Sequence, residues 1–496
     1  MASFLQNEQR APFAGECSSM VPMQQSFLMG PMVLLCLGIA LCAQEPEPVG
    51  GVYFANGVKV GEVTSSSAII WTRLTATPER NIEGIPWPDS ADAVPAGHTL
   101  GDMQDSVMGV AGEVRVQWWP KGAAGVRSSS GWAAVDPRAD FTHAFDLSDQ
   151  LRSATVYEMI VEGRATGSQQ AQCSLPISFH TAPEVQQSAP ATFTVITGQD
   201  FTRRDDPQEG HRIYSSMGKL DPDFFVHTGD VVYHDKPGPL ARSQELARYK
   251  WNRMYALPLQ RAFHARVPAR FLRDDHDVLK DDCWPGQSYG DLTWEQGLAV
   301  FREQVPTGPR PYRRLRWGKD LEVWFVEGRE FRSPNTLADG PDKTIWGSEQ
   351  KAWFRRTFAA SDATFRVLVS PTPILGPDRS SKRDNHANKA FRHEGDELRT
   401  FLAQQENALV ICGDRHWQYV SQDPDTGLRE YSCGPTTDKH AGGFSKKNQS
   451  DVHRFLRVAG GFLSVSLEYQ EDLPRLVMRH HDVAGGIVHE DAHEAH

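Results

Sequence analysis

The first part of the chain alternates apolar and polar residues over short runs, which is typical of β-strands. The alternation is clear at residues 61–73 and 113–119, and it continues at residues 157–162 and 175–180 with polar turns between the runs. Such a series is expected for an antiparallel β-sandwich of the fibronectin or immunoglobulin type. The pattern therefore predicts a β-sandwich domain over residues 50–183.

The pattern changes after residues 181–190, a short polar linker that ends in proline. Apolar strands then alternate with helical stretches, which indicates an α/β layered domain over residues 190–484. In such folds ligands bind at the carboxyl ends of the strands. Residues 485–496 are polar and rich in histidine, and we expect them to form a tail. The predicted strands are residues 192–197, 223–228, 321–326, 365–370 and 408–412, and the predicted helices include residues 244–256 and 348–358.

A long apolar run, Met29–Ala43, precedes both domains and is too short to span a bilayer comfortably. It predicts the core of a signal peptide within a leader of residues 1–48, so we expect an exported protein, either periplasmic, cell-surface or secreted, with no stable membrane span. Arg10 is the one basic residue ahead of the run, which leaves an uncleaved anchor or a disordered leader as alternatives.

Composition and charge narrow the classes of function. At 496 residues the chain is long for a single domain, and 39% apolar with 23% charged residues is ordinary for a globular protein. The formal net charge of -11 argues against a nucleic-acid partner held by phosphate contacts. An anionic substrate would need local positive charge, from metals or from placed arginines. The sequence does not indicate an oligomeric state.

Three predicted strands end in residues that can bind metal ions. Asp200 follows the first strand, Asp230 and Tyr233 follow the second, and Asp414 and His416 follow the last. A glycine lies just ahead of Asp230 and Asp414, where it lets the chain turn tightly off the strand. Carboxylates and imidazoles that project from separate strands into one crevice are what two close cations require.

A fourth segment, residues 270–277, places Asp274, Asp275 and Asp277 around His276 after a short apolar strand. Carboxylates in a row repel each other unless positive charge lies among them, and metal ions would provide that charge. A surface salt-bridge cluster is the alternative. Asp274 is left between two roles, an acid behind the metal ligands or a ligand of an extra calcium ion.

The order GQD, HTGDVVY, RDDHD and CGDRH resembles the calcineurin-like metallophosphoesterases, and specifically their alkaline phosphatase D (PhoD-like) branch. The resemblance covers roughly residues 50 to 480. It implies the α/β fold class, with a four-layer α/β sandwich preceded by the antiparallel β-sandwich domain. It also implies a centre of two or more divalent or trivalent ions, for which iron, calcium and manganese are the candidates.

The resemblance assigns roles to individual residues. Asp230 would bridge the metals, Tyr233 would bind the first metal, Asp275 would hold the second, and His276 would be the acid that faces the phosphate. Arg415 could supply positive charge within the same site. The full set of metal ligands that we expect is Asp200, Asp230, Tyr233, Asp275, Asp414 and His416, with His276 and Arg415 as catalytic residues and His386 and Arg379 as substrate-binding residues.

The chain departs from the family pattern at the end of the first strand. Members of this branch usually read Ala-Ser-Cys-Gln there, with the cysteine as an iron ligand, whereas this chain has Gly198 at the matching position. Asp200, two residues later, is the candidate replacement. Loss of the softer thiolate would leave a harder site that suits manganese, iron or calcium.

The implied function is hydrolysis of a small-molecule phosphate ester by in-line attack of a metal-bound hydroxide. We expect a phosphomonoesterase with alkaline preference that also cleaves diesters. A dedicated phosphodiesterase or nucleotidase is the alternative within enzymes. A catalytically weakened surface binding protein is the alternative outside them, and the glycine at position 198 is its main support.

Overall fold

The computed structural model describes residues 51–445, 447 and 449–495. Eight strands come first, as expected from the alternating runs of that region. They are β1 (Val58–Gly61), β2 (Ile69–Arg73), β3 (Glu113–Pro120), β4 (Ser128–Ser129), β5 (Ala133–Ala134), β6 (Thr142–Asp146), β7 (Val156–Arg164) and β8 (Cys173–His180).

These strands form a β-sandwich, which confirms the prediction for this region. Strands β1, β2 and β6 form one side, and β3, β7 and β8 with the short strands β4 and β5 form the other. Every second residue of β7 points inward, as a half-buried strand requires. The two sides share one apolar core, to which Val60, Ile70, Val116 and Met159 contribute.

The second part of the chain alternates strands and helices. Its strands are β9 (Ala191–Ile196), β10 (Phe224–His227), β11 (Ala269–Phe271), β12 (Ser288–Tyr289), β13 (Leu292–Thr293), β14 (Arg313–Trp317), β15 (Leu321–Phe325), β16 (Phe365–Ser370), β17 (Ala408–Cys412), β18 (Gln418–Gln422), β19 (Arg429–Cys433), β20 (His453–Arg457), β21 (Phe462–Gln470), β22 (Leu473–His481) and β23 (Ile487–Glu494). Its helices are α1 (Ile213–Gly218), α2 (Gln244–Tyr255), α3 (Pro258–His264), α4 (Asp275–Val278), α5 (Trp294–Gln304), α6 (Gly347–Ala359) and α7 (Arg392–Ala403).

Four layers result from these elements, as the resemblance implied. One sheet has the strand order β23-β22-β21-β9-β10-β11-β1-β2-β6, and the other has the order β14-β15-β16-β17-β19-β18-β20. Apolar side chains such as Val195, Val226, Val367 and Ile411 fill the space between the two sheets. Helices α1, α2, α3 and α5 cover the outer face of the first sheet, and α6 and α7 cover that of the second.

One continuous sheet crosses the boundary between the two predicted domains. Strand β1 of the sandwich pairs in parallel with β11, through Gly61 and Ala269, so the larger sheet runs on from one predicted domain into the other. The described residues accordingly belong to one compact unit. The division into residues 50–183 and 190–484 therefore describes two layered regions that share a sheet.

The predicted polar tail, residues 485–496, is mostly an edge strand instead of a free tail. Strand β23 pairs with β22, and His489 lies opposite His480. Polar residues are compatible with this position because an edge strand keeps one side open to solvent. The sequence criterion of polarity alone therefore missed the strand.

The predicted leader, residues 1–48, lies outside the described residues, and so does its apolar run, Met29–Ala43. The signal peptide stays a prediction. Over the part of the chain that the structure describes, no helix has both the length and the hydrophobicity to cross a bilayer.

Candidate metal centre

The sheet topology brings the predicted strand-end residues to one place. Strands β9 and β10 are neighbours and run in parallel, so the loops that carry Asp200 and Asp230 leave the same edge of the sheet. Strand β17 of the other sheet brings Asp414 to that edge, where the Asp414 backbone N–H donates to Thr197 Oγ1 at 3.1 Å. A side chain at Gly413 would collide with Thr228, so glycine is needed for this close approach.

Two acidic groups meet at Asp230. One group is Asp230, Asp275 and His276, and the other is Asp230, Asp274 and Asp414; in each group the candidate ligand atoms lie within 4.8 Å of one another. Asp230 belongs to both groups and is only 1% exposed. A carboxylate in this position suits the bridging role between two cations that the sequence predicts for it.

The residues present fit bound cations. Asp230 Oδ1 and Asp274 Oδ2 are buried and have no hydrogen-bond partner in the described part of the chain. Buried carboxylate oxygens without partners are costly, because they have given up water without compensation. Burial also raises the pKa of the Asp230 carboxyl, and it raises that of Asp274 well above its ordinary value. Cations among these oxygens would favour their ionised forms.

Tyr233 and His416 lie on one side of Asp230. The Tyr233 hydroxyl donates to Asp230 Oδ2 at 3.0 Å, and His416 Nε2 lies 3.1 Å from the same hydroxyl and 3.3 Å from the same carboxylate oxygen. Burial, together with nearby Arg415, lowers the pKa of His416 to about 3. The imidazole is therefore neutral and can offer a lone pair to a metal.

Gly198 adjoins this side of the centre in a left-handed conformation, with φ of 59°. A Cβ atom at this position would lie 2.8 Å from His416 Nε2, which is closer than real Cβ atoms approach. Both the backbone and the space therefore require glycine in this arrangement. The position where family members carry a cysteine leaves no room for a side chain here.

The environment of Asp200 differs from the one expected for the replacement metal ligand. Its Oδ1 accepts hydrogen bonds from the Thr202 N–H at 2.9 Å and the Thr202 hydroxyl at 2.7 Å, and its Oδ2 lies 3.3 Å from Arg203 Nε. Burial would raise the pKa of Asp200, but His440, Thr202 and Arg203 hold it below its ordinary value. Asp200 thus caps a short turn, and both of its carboxylate oxygens already have partners. It lies outside both acidic groups.

His276 faces the other side of the centre. Its Nδ1 lies 2.7 Å from Asp235 Oδ1, and the ring is almost fully buried. Burial would lower the pKa of His276, but Asp275, Asp230 and Asp235 outweigh burial and raise the pKa to about 10. Sequence reasoning missed Asp235, although it follows Tyr233 by two residues in the same loop. The imidazole is therefore held in its protonated form and in a fixed orientation.

Comparison with known proteins identifies the family of the chain. The family model described as "PhoD-like phosphatase" matches residues 193–460. The chain belongs to the PhoD-like phosphatases. The prediction from the four motifs is confirmed, and membership of this family makes the protein a phosphoric ester hydrolase whose substrate is a small-molecule phosphoester. The family also implies bound metal ions.

Two solved structures share the fold of this PhoD-like phosphatase. "Structure of PhoD" aligns with a TM-score of 0.69 at 16% identity, over 91% of this chain and 90% of that chain. The purple acid phosphatase PPD1 from yellow lupin (Lupinus luteus) seeds aligns with a TM-score of 0.61 at 13% identity, over 88% of this chain and 74% of that chain. No curated protein sequence matches the chain.

Arg415 of the phosphatase does not reach the crevice as a catalytic residue would. It is fully buried, its Nη1 donates to Asp378 Oδ1 at 2.7 Å, and its Nη2 contacts Asp414. Arg329 has a similar position behind the acids, where it pairs with Asp274. Both guanidinium groups hold carboxylates from behind, so we correct the prediction for Arg415 to a positioning role.

His386 is also at odds with its predicted role in binding substrate. The ring is fully buried, its Nε2 lies 2.9 Å from a carboxylate oxygen of Glu394 on α7, and it packs edge-on against Trp346. These contacts place it in the layer between α6, α7 and the second sheet, because its ion-pair partner belongs to α7. Arg379, by contrast, is partly exposed and lies over the ring of Trp417, next to His416 in the chain.

Proposed function

We propose that the phosphatase hydrolyses phosphate monoesters, with diesters as a second substrate class, and that it prefers alkaline pH. The observation that carries the proposal is the buried Asp230, which is shared by two groups of candidate metal ligands and has, like Asp274, a carboxylate oxygen without a hydrogen-bond partner. Asp275, Asp274 and Asp414 complete those groups, while Tyr233 and His416 lie beside Asp230. We expect these residues to hold iron, manganese or calcium, because all three bind carboxylate oxygens, and iron and manganese also bind imidazole.

When bound, two such cations supply Lewis acidity toward water and toward the phosphate oxygens. The protein contributes a proton donor on the opposite side. The carboxylates of Asp275, Asp230 and Asp235 favour the protonated form of His276. This imidazolium can give a proton to the leaving alkoxide or stabilise its developing charge. Because the ion pair with Asp235 favours the imidazolium, His276 stays a competent acid at alkaline pH, which supports the pH preference.

Positive charge for the anionic substrate comes from arginines at the rim of the crevice. Arg203, paired with Asp200, has a side chain that is 46% exposed, and Arg379 has one that is 33% exposed. A phosphate monoester carries two negative charges at alkaline pH, and guanidinium groups bind phosphate through paired hydrogen bonds. These two residues are the protein's candidates for substrate binding.

We also propose that the protein is exported. The support is the apolar run Met29–Ala43, which has the character of a signal-peptide core. Amino-terminal sequencing of the protein recovered from its native compartment tests this. A mature chain that starts after residue 43 supports export, and an intact leader on a protein retained inside the cell contradicts it.

Elemental analysis of the purified protein, paired with hydrolysis assays, tests the catalytic proposal. The assays use p-nitrophenyl phosphate and its bis ester, before and after chelation. About two metal equivalents with chelator-sensitive turnover and faster cleavage of the monoester would support the proposal. Faster cleavage of the bis ester would make the enzyme a dedicated diesterase. A metal-free, inactive protein that does not respond to added iron, manganese or calcium would favour the binding-protein alternative.

A further inference from the structure

Residues 435–440 lie against the end of β9, next to Gly198. Pro435 forms a parallel bridge with Thr197, and the N–H and hydroxyl of Thr436 donate to the Gly198 carbonyl at 3.2 and 3.1 Å. The Thr437 hydroxyl donates to the Arg203 carbonyl at 3.1 Å. The segment is therefore fixed to the loop that carries Gly198, and it ends in a short turn at His440.

The Gly198 carbonyl also determines which nitrogen of His440 carries the proton. His440 Nδ1 lies 3.1 Å from this oxygen, and a carbonyl oxygen can only accept, so Nδ1 is the donor. A histidine that binds a metal ion is neutral, so its single ring proton is the one on Nδ1. Nε2 then carries the lone pair, and among the described residues it has no hydrogen-bond partner. Metal-binding histidines commonly have this arrangement, with one nitrogen donating to a backbone carbonyl.

His440 lies close to the Tyr233 and His416 side of the centre. Its ring centroid is 4.1 Å from that of His416 and 5.2 Å from that of Tyr233. Both imidazoles border the space above Gly198, because a Cβ there would lie 2.8 Å from His416 Nε2 and 3.5 Å from His440 Cε1. The missing side chain at position 198 provides the room that the two rings occupy.

We propose that His440 Nε2 is a ligand of the cation beside Tyr233 and His416, an inference that rests on the proposed function. The ligands on this side are then two imidazoles, one phenol and the Asp230 carboxylate. This set favours a transition metal, such as iron, manganese or zinc, over calcium, which prefers oxygen ligands alone. Asp200, satisfied by Thr202 and Arg203, is not needed as a ligand.

The test compares metal binding by the full-length wild type with that of two variants. His440→Asn retains an amide N–H that can donate to the Gly198 carbonyl but has no second nitrogen, so it separates metal binding from support of the loop. His489→Asn is the matched control, because His489 lies on the edge strand β23 and stacks on Phe455, away from the acidic groups. Each protein is stripped of metal, titrated calorimetrically with Mn²⁺ and with Zn²⁺, and analysed for metal content after dialysis.

We expect the wild type and His489→Asn to keep two equivalents. We expect His440→Asn to lose one, with its dissociation constant raised at least about 100-fold, while its urea unfolding midpoint stays near the wild-type value. Two equivalents with unchanged affinity in a folded His440→Asn protein would overturn the inference and leave the proposed function intact. A wild type that binds no metal would overturn both.

Anomalous diffraction from zinc-loaded crystals of the wild type provides a second readout, independent of folding of the variant. A zinc peak about 2.1 Å from His440 Nε2 is expected. A zinc ion bound by Tyr233 and His416 with His440 out of contact would refute the assignment.

Discussion

The carboxylate of Asp277 accepts the backbone N–H of Asp230 at 2.8 Å, and so fixes the acid that both groups share. The same carboxylate accepts the N–H groups of Val231 at 2.7 Å, Val232 at 3.0 Å and Asp274 at 2.8 Å. One buried side chain thus binds the loop after β10 to the start of α4. Asp277 holds the metal centre together without belonging to either acidic group.

Replacing Asp277 with asparagine is expected to lower the free energy of unfolding by about 3 kcal/mol, because the amide offers one acceptor oxygen where the carboxyl group offers two to the four N–H groups. Each buried N–H left without an acceptor costs about 1–3 kcal/mol. The amide NH₂ would face N–H donors that need an acceptor. Urea unfolding measures the loss, and elemental analysis should show reduced metal content. Asp472→Asn, at an exposed turn, is the control and should match the wild type.

Substitutions of the acids and substitution of His276 should have different effects on metal content and activity. Asp230→Ala and Asp414→Ala are expected to lose bound metal and activity together, because each removes a carboxylate from a group of candidate metal ligands. His276→Ala should keep most of its metal but lose about 10²–10⁴-fold in kcat through loss of the proton donor. Elemental analysis and steady-state kinetics distinguish the two. Full activity in Asp230→Ala would rule out the site as assigned.

Asp235→Asn tests whether His276 is held protonated by its neighbour. Without the negative charge the pKa of His276 falls, so less of the imidazole is protonated at alkaline pH. We expect the descending limb of the kcat–pH profile to move to lower pH, with metal content unchanged. An unaltered profile would mean that another group donates the proton.

Gly198→Ala should disturb the centre more than the backbone strain alone explains. Gly122 is the matched control: its φ is also positive, at 82°, but a Cβ there meets nothing within 4 Å. Each substitution costs about 1 kcal/mol for the left-handed conformation. Gly198→Ala must also displace His416, so we expect it alone to lose affinity for one metal equivalent. Equal metal binding by the two variants would show that the collision is relieved cheaply.

The protein should lose stability as the pH falls below about 6.5. His227 and His480 are fully buried, and burial lowers the pKa of each to about 3. The unfolded chain takes up these protons near pH 6.5, whereas the folded chain takes them up only near pH 3, so stability is present above this window and is lost as the pH falls through it. Each histidine then costs about 2 kcal/mol at pH 5.

Urea unfolding at pH 8, 6.5 and 5 checks this dependence. His480→Gln should flatten it in part by removing one of the buried histidines, whereas substitution of the exposed His98 by glutamine should leave it unchanged. If His480→Gln follows the wild-type curve, His480 does not contribute to the dependence.

The strands and the motif residues at their ends could be predicted because both depend on local sequence. The runs before Asp230 and Asp414 are apolar and end in glycine, so each acid is expected at the carboxyl end of a buried strand. Packing of the two sheets against each other then brings these strand ends together. The prediction for His386 was wrong because its role depends on burial against Trp346 and Glu394, which sequence spacing does not encode.

The roles of Asp235, Asp277 and His440 were not predicted for a related reason. Each role depends on the path of a loop that long-range contacts determine, such as the hydrogen bonds from residues 436–440 to Gly198. The sequence shows that Gly198 departs from the family cysteine. The structural reason for the glycine became visible only from the positions of the His416 and His440 rings. A glycine in the sequence shows that a side chain is missing and does not show what fills the space.

The order of strands in the larger sheet has a consequence for biosynthesis. Strand β9, which leads to Gly198 and Asp200, lies between β10 and β21, and β21 does not leave the ribosome until more than 460 residues have been made. A growing chain would therefore hold the β9 loop without a neighbour on one side for most of its synthesis. The loop that carries Gly198 and Asp200 can therefore take its final position, and the metal centre can be assembled, only when synthesis of the chain is nearly complete.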